Sequence, residues 1–236
     1  MIRTKEIILL LLIVLLTISL VIVSSSTNGI VIFKNLSEVI NKQIIYQSIT
    51  LLGTFFFLFV LWMTKKKELL TYFQKGNIYA EIIPEPIVGI KPKPNENWFH
   101  VGINFSIIVS VVTAIVIYFQ IISENGISLR DIFKVLPFSI VFALSNSFVE
   151  EGITRLGVVV VLKDIIKDKT IPLISAGIFG VAHYWGNPGG LLGLLVAGFL
   201  GWLLSKSIIE TKGIFWAWLI HFLQDVIIFS VLLTMK

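Results

Sequence analysis

Residues 132–162 read IFKVLPFSIVFALSNSFVEEGITRLGVVVVL. The run is longer than the roughly 20 apolar residues that a helix needs to cross the hydrocarbon core of a bilayer, yet it carries Glu150, Glu151 and Arg155 in its second half. A charged side chain near the bilayer centre costs on the order of 2.5–3.5 kcal/mol or more. These three groups must therefore face protein or water rather than lipid. The surplus length predicts a tilted helix, a kink near Glu150 and Gly152, or two shorter helices.

Working outward, further apolar runs occupy 7–24, 44–63, 99–122, 171–185, 190–205 and 213–235. Together with 132–162 they make seven crossings, or eight if that run is divided. The expected fold is an all-α, polytopic transmembrane helical bundle of about seven or eight spans. The first run follows Arg3 and Lys5 as a signal peptide would, but it is long for one and ends in Ser24, Ser25 and Ser26 without a cleavage pattern, so it reads as an uncleaved helix. Gly186, Asn187, Pro188, Gly189 and Gly190 form a turn cluster that suits a tight hairpin between the fifth and sixth runs. The glycines at 189, 190, 193, 198 and 201 suit close helix contact. Residues 64–98 begin with Lys65, Lys66 and Lys67 and contain Pro84, Pro86, Pro92 and Pro94, which argues against a long regular helix there. The chain divides into residues 1–130, three spans with this basic loop, and 131–236, a core that carries the chemistry within the same membrane domain.

The composition agrees: of 236 residues, 56% are hydrophobic and 14% charged, with mean hydropathy +0.93. Cysteine is absent, which excludes disulfides, thiolate metal sites and a cysteine nucleophile. The formal charge of +5 resides in short segments between apolar runs, so no nucleic-acid partner is expected. With the N-terminus inside, the inner segments hold thirteen of the 19 Lys and Arg residues, and the outer ones only Lys34, Lys42, Arg130 and Lys236. That asymmetry predicts a cytoplasmic N-terminus. The Lys- and Ile-rich composition points to a bacterial cytoplasmic membrane.

Glu151 and Arg155, four residues apart, share a helix face and can pair, whereas Glu150 points about 100° away from Glu151 on a regular helix. One turn from Glu150 lie only Asn146 and Thr154. Asp225 adds a fourth costly group. At about 1.5 Å per residue, Glu150, His183 and Asp225 each fall about 18 Å from the inner ends of their runs and His221 about 12 Å. One layer thus holds residues from three helices. A lone intramembrane histidine is often only a hydrogen-bonding residue, and a buried Glu–Arg pair needs no chemistry. The joint placement favours function. A glutamate and two histidines activate water by general base catalysis, or through a bound Zn2+ held by His183, His221 and a carboxylate drawn from Glu150 and Asp225.

These residues form three motifs, in order, on separate apolar runs: EExxxR as Glu150, Glu151 and Arg155; FxxxH as Phe179 and His183; and Hxxx(N/D) as His221 and Asp225. The set resembles the CPBP intramembrane proteases, which include the CAAX prenyl endopeptidases and the bacterial Abi proteins, over roughly residues 131–230. The resemblance implies an endopeptidase acting on membrane-embedded or lipidated peptides. Glu150 and His183 would activate water, His221 and Asp225 would stabilise the oxyanion, and Glu151, Arg155 and Phe179 would support them. The chain departs from the pattern in two places: Leu156 stands between Arg155 and Gly157, and Asp225 replaces the commoner asparagine. An ionised aspartate cannot donate to an oxyanion, which tilts the reading towards metal assistance. Competing expectations are a non-catalytic immunity or scaffold protein of the same fold, and a proton or ion transporter, although no inverted repeat supports the latter.

Overall fold

The computed structural model describes residues 3–123, 126–186 and 189–235. Asn187 and Pro188 of the turn cluster and Lys236 of the charge count lie outside the described residues. Helices form at Thr4–Ser26 (α1), Glu38–Thr64 (α2), Lys66–Tyr72 (α3), Trp98–Ile122 (α4), Leu129–Leu162 (α5), Ile171–Ala182 (α6), Gly190–Thr211 (α7) and Phe215–Leu232 (α8). No strand occurs among the described residues, and six helices are long and apolar enough to cross a membrane. The short apolar helix Ile171–Trp185, which comprises α6 and a closing 3-10 turn, makes the seventh apolar segment. The expected all-α polytopic bundle is therefore observed.

The 132–162 run lies in one continuous helix of 34 residues rather than two. Its α-helical hydrogen bonding gives way to a π-helical segment over Glu151–Leu156 before resuming over Gly157–Leu162. A π segment admits an extra residue per turn and recurs at functional sites. Every residue from Glu151 to Leu162 is buried, as expected of a helix that is apolar all round and therefore central. α1, α2, α6 and α7 surround this inner half of α5, while α8 packs along its outer half and against α4.

The α6–α7 hairpin is a close helix contact, and glycine makes it possible. A β-carbon on Gly180 would sit 2.7 Å from the Leu194 carbonyl oxygen and 3.1 Å from the Gly198 Cα. The backbones touch because neither residue has a side chain.

One end of the bundle is laced together. Lys65 pairs with Glu6 at 2.8 Å, Ile214 N donates to Gln74 O at 2.9 Å, and Trp98 Nε1 donates to Glu210 at 2.8 Å. These contacts put the starts of α1, α4 and α8 on the same side as the ends of α2 and α7, as alternating crossings require. Trp98 is fully buried there, while His100 beside it is exposed. Between α2 and α4 the chain is mostly irregular, with only α3 and the 3-10 turn Pro86–Val88.

Candidate active site

Four residues of the site come from one stretch of α5. Asn146, Glu150 and the π segment's first residue, Glu151, lie on turns facing α8, and Arg155 follows one turn further in. Glu151 and Arg155 pair as their spacing predicts: Arg155 Nη1 is 3.2 Å from Glu151 Oε1, and both side chains are wholly inaccessible. Arg155 also lies over the ring of Phe179 from α6, its guanidinium carbon 3.4 Å from the ring centroid. Phe179 in turn sits beside both histidines, with ring centroids 4.1 Å from His183 and 6.0 Å from His221. Its packing role is thereby visible: one aromatic ring spaces a cation and two imidazoles.

His221 of α8 lies between the two adjacent glutamates. Its Nδ1 is 2.7 Å from Glu151 Oε1, and its Nε2 is 3.5 Å from Glu150 Oε2 and 3.6 Å from Asp225 Oδ1. On a regular helix Glu150 would point well away from Glu151. The wider turn beginning at Glu151 and the reach of two glutamate side chains bring both carboxylates to opposite edges of one imidazole. Because a carboxylate only accepts, the short Nδ1 contact is a donated N–H, which fixes that proton on Nδ1.

Asn146, one turn before Glu150, carries a further contact that motif reading did not single out. Its Nδ2 donates to Glu150 Oε1 at 3.1 Å and to Asp225 Oδ2 at 3.0 Å. One amide therefore ties the carboxylate of the first motif to that of the third. Thr154, the other neighbour one turn away, uses its hydroxyl on the Glu150 carbonyl.

His183 closes α6. The helix ends at Ala182 and tightens into a 3-10 turn over His183–Trp185, and His183 Nδ1 donates to the Phe179 carbonyl at 2.9 Å. Since that carbonyl accepts only, the Nε2 lone pair of His183 is left free. Glu150 and His183 belong to one cluster, Glu150 through His221 at 3.5 Å and His183 through Phe179, whose ring also neighbours His221. Glu150 is also the less enclosed of the two glutamates, its side chain 15% exposed against 0% for Glu151.

The structure thus brings all seven candidate residues together. α2 adds a side not anticipated from the motifs. Tyr46 is 9% exposed, and next to it Gln47 Oε1 accepts from Ser145 Oγ on α5 at 2.8 Å. The signal was present in the sequence, because Gln43, Tyr46, Gln47, Thr50 and Thr54 recur at helical spacing within an apolar run.

For a metal ion the fit is poor. Among the described residues no three His, Asp or Glu side chains are arranged to hold one. The His221 Nε2 edge already faces two carboxylates, and the Asn146 amide occupies one oxygen of each.

Residues 132–227 match the family model described as type II CAAX prenyl endopeptidase Rce1-like. The match holds all three motifs and the whole of the site except its α2 side, and covers less than half of the chain. It is a protease family and agrees with the CPBP resemblance that the motifs carry. No curated protein and no solved structure gives a significant match. Six membrane-length helices and the match to an intramembrane protease family support a multi-pass integral membrane protein.

Proposed function

We propose, proceeding from this Rce1-like domain, that the protein is an intramembrane endopeptidase that hydrolyses peptide bonds of membrane-embedded or lipidated substrates with water activated by Glu150 and His183. The single observation that carries the reading is the clamping of His221 between Glu150 and Glu151, with Asn146 joining Glu150 to Asp225.

In this mechanism water binds between the Glu150 carboxylate and the free Nε2 of His183. Glu150 takes a proton as the oxygen attacks the scissile carbonyl, and later returns it to the leaving amine. His221 faces three carboxylates and carries a second proton on Nε2, from which it donates to the developing oxyanion. Glu151 holds the other edge of the ring, fixing its orientation as a carboxylate partner commonly does for a working histidine. Arg155 neutralises Glu151 inside the bundle. Asp225 cannot donate while ionised, so its part is to hold His221 and Asn146 in register. The amide nearest the reacting atoms is that of Asn146, which balances the departure from asparagine at position 225.

The substrate class follows from location. A site in the middle of three apolar helices is reached most directly by a peptide already in or beside the bilayer, and a lipidated C-terminal segment of the kind named by the family description fits that route. The N-terminus is assigned to the cytoplasmic side by the distribution of Lys and Arg.

The test is a comparison of membrane-peptide ends in cells carrying the wild type or Glu150→Gln, with equal expression and insertion. Peptide ends that vanish in the variant are expected and would name the substrate. Identical peptide ends under several growth conditions would transfer the reading to a non-catalytic scaffold.

A further inference from the structure

Among the described residues, the buried side-chain polar atoms lacking a hydrogen-bond partner are confined, apart from the Ser205 hydroxyl, to two groups. One is the site itself: Glu150 Oε2, Glu151 Oε2 and the Nε and Nη2 of Arg155. The other is on α2, where Gln43 Oε1 and Gln47 Nε2 are unpaired. The second group lies outside the matched domain and has no part in the motifs. An unpaired amide group away from water costs about 1–3 kcal/mol, and lipid offers it no partner. Gln47 is 4% exposed, its other amide atom is held by Ser145 on α5, five residues before Glu150, and Tyr46 beside it is 9% exposed.

Cleaving a peptide inside a bundle sets a requirement that matches this stripe. The strand to be cut must be extended at the scissile bond, so its N–H and C=O groups lose the helical partners that satisfied them and, away from the attacking water, find none in lipid. The enzyme has to offer acceptors and donors along the strand. Gln43 and Gln47 are four residues apart on one face of α2, about 6 Å along its axis. In an extended strand the groups facing one side repeat every two residues, about 6.7 Å. A free acceptor and a free donor one helical turn apart are thus offered at close to the repeat of the N–H and C=O of alternate residues of a strand.

We propose that Gln43 and Gln47 form a peptide-backbone subsite on α2, Gln43 Oε1 accepting an N–H and Gln47 Nε2 donating to a C=O of a substrate strand held extended beside Glu150, with Tyr46 between them. The subsite recognises backbone rather than side chains and so places no demand on sequence at those positions. It rests on the endopeptidase reading, and it gives the amino-terminal half of the chain a part in substrate binding.

The experiment uses the full-length protein in detergent and a synthetic peptide spanning the cleavage site found by the peptide-end comparison, together with a series in which successive backbone nitrogens are methylated. For wild type, methylation at one position is expected to raise KM up to about tenfold, the size of a lost hydrogen bond. In Gln43→Leu the unmethylated peptide shows that same rise, and methylation there adds nothing further. Gln47→Leu raises KM by a similar factor with kcat little changed. Methylation penalties that are identical in wild type and Gln43→Leu, or unchanged KM in both variants, would overturn the subsite while leaving the protease intact. A wild type that cleaves no peptide removes the endopeptidase reading and the subsite with it. A variant that fails to insert is replaced by Gln43→Met or Gln47→Met, which keep length and flexibility.

Discussion

Glu151 Oε1 meets two partners at once, accepting from His221 Nδ1 at 2.7 Å and lying 3.2 Å from Arg155 Nη1, which itself donates to Thr154 Oγ1 at 3.0 Å. A single carboxylate oxygen therefore faces both the arginine and the imidazole, and in the proposed mechanism Glu151 positions His221 rather than reacting. Glu151→Gln keeps the shape but turns one end of the group into a donor. Peptide cleavage should fall on the order of 10–100-fold, as for loss of an orienting partner, chiefly in kcat. Unchanged kcat in a correctly inserted Glu151→Gln would remove that role.

Arg155 has no access to solvent, so its removal leaves Glu151 charged and short of a partner. Breaking a buried pair from one side costs about 3–5 kcal/mol, whereas replacing both members by apolar residues is often close to neutral. Arg155→Leu should therefore melt well below wild type in detergent, and Glu151→Leu with Arg155→Leu should recover part of the loss while remaining inactive. A double variant less stable than Arg155→Leu would show that the pair stabilises the fold outright.

Asn146 has no counterpart in the motifs, yet it donates to both Glu150 and Asp225. Asn146→Leu removes the bridge, and Asn146→Asp sets a third carboxylate between the other two. The aspartate variant should lose more activity than the leucine variant at neutral pH and regain part of it on acidification, since protonating a carboxylate restores a donor. A pH–rate profile of the two variants against wild type checks this; equal profiles would place Asn146 outside the reaction.

Gly180 leaves no room for a side chain, with the Leu194 carbonyl oxygen 2.7 Å from where a β-carbon would stand. Gly180→Val should push α7 away from α6, move His183 three residues later, and reduce both folded yield and cleavage. Gly177 has nothing within 4 Å of its hypothetical β-carbon, so Gly177→Ala provides the matched control with near-wild-type yield. Equal yields from Gly180→Val and Gly177→Ala would contradict the packing described.

The absence of native cysteine makes the orientation directly measurable. Lys34→Cys should react with a membrane-impermeant thiol reagent in intact cells, and Lys67→Cys only after permeabilisation. The reverse pattern would place the N-terminus outside.

The helices were legible in the sequence because their cause is local. An apolar run that must satisfy its backbone groups in lipid has little choice but to be helical, so runs such as 44–63 and 190–205 needed no knowledge of neighbours. The candidate residues were legible for a related reason: a charge such as Glu150 or Asp225 in an apolar run is costly wherever the chain folds, and the cost marks it. What sequence alone determined was therefore the fold class, the set of costly ionisable groups and the Glu151–Arg155 pair. Only the tertiary structure decided the rest. The unbroken α5 with its π segment, the convergence of both glutamates on His221, the Asn146 bridge and the approach of the α2 stripe all depend on which helix faces which. Those relations are set by contacts between segments far apart in the chain, such as Asn146 with Asp225 or Gln47 with Ser145, and spacing within one run carries no information about them.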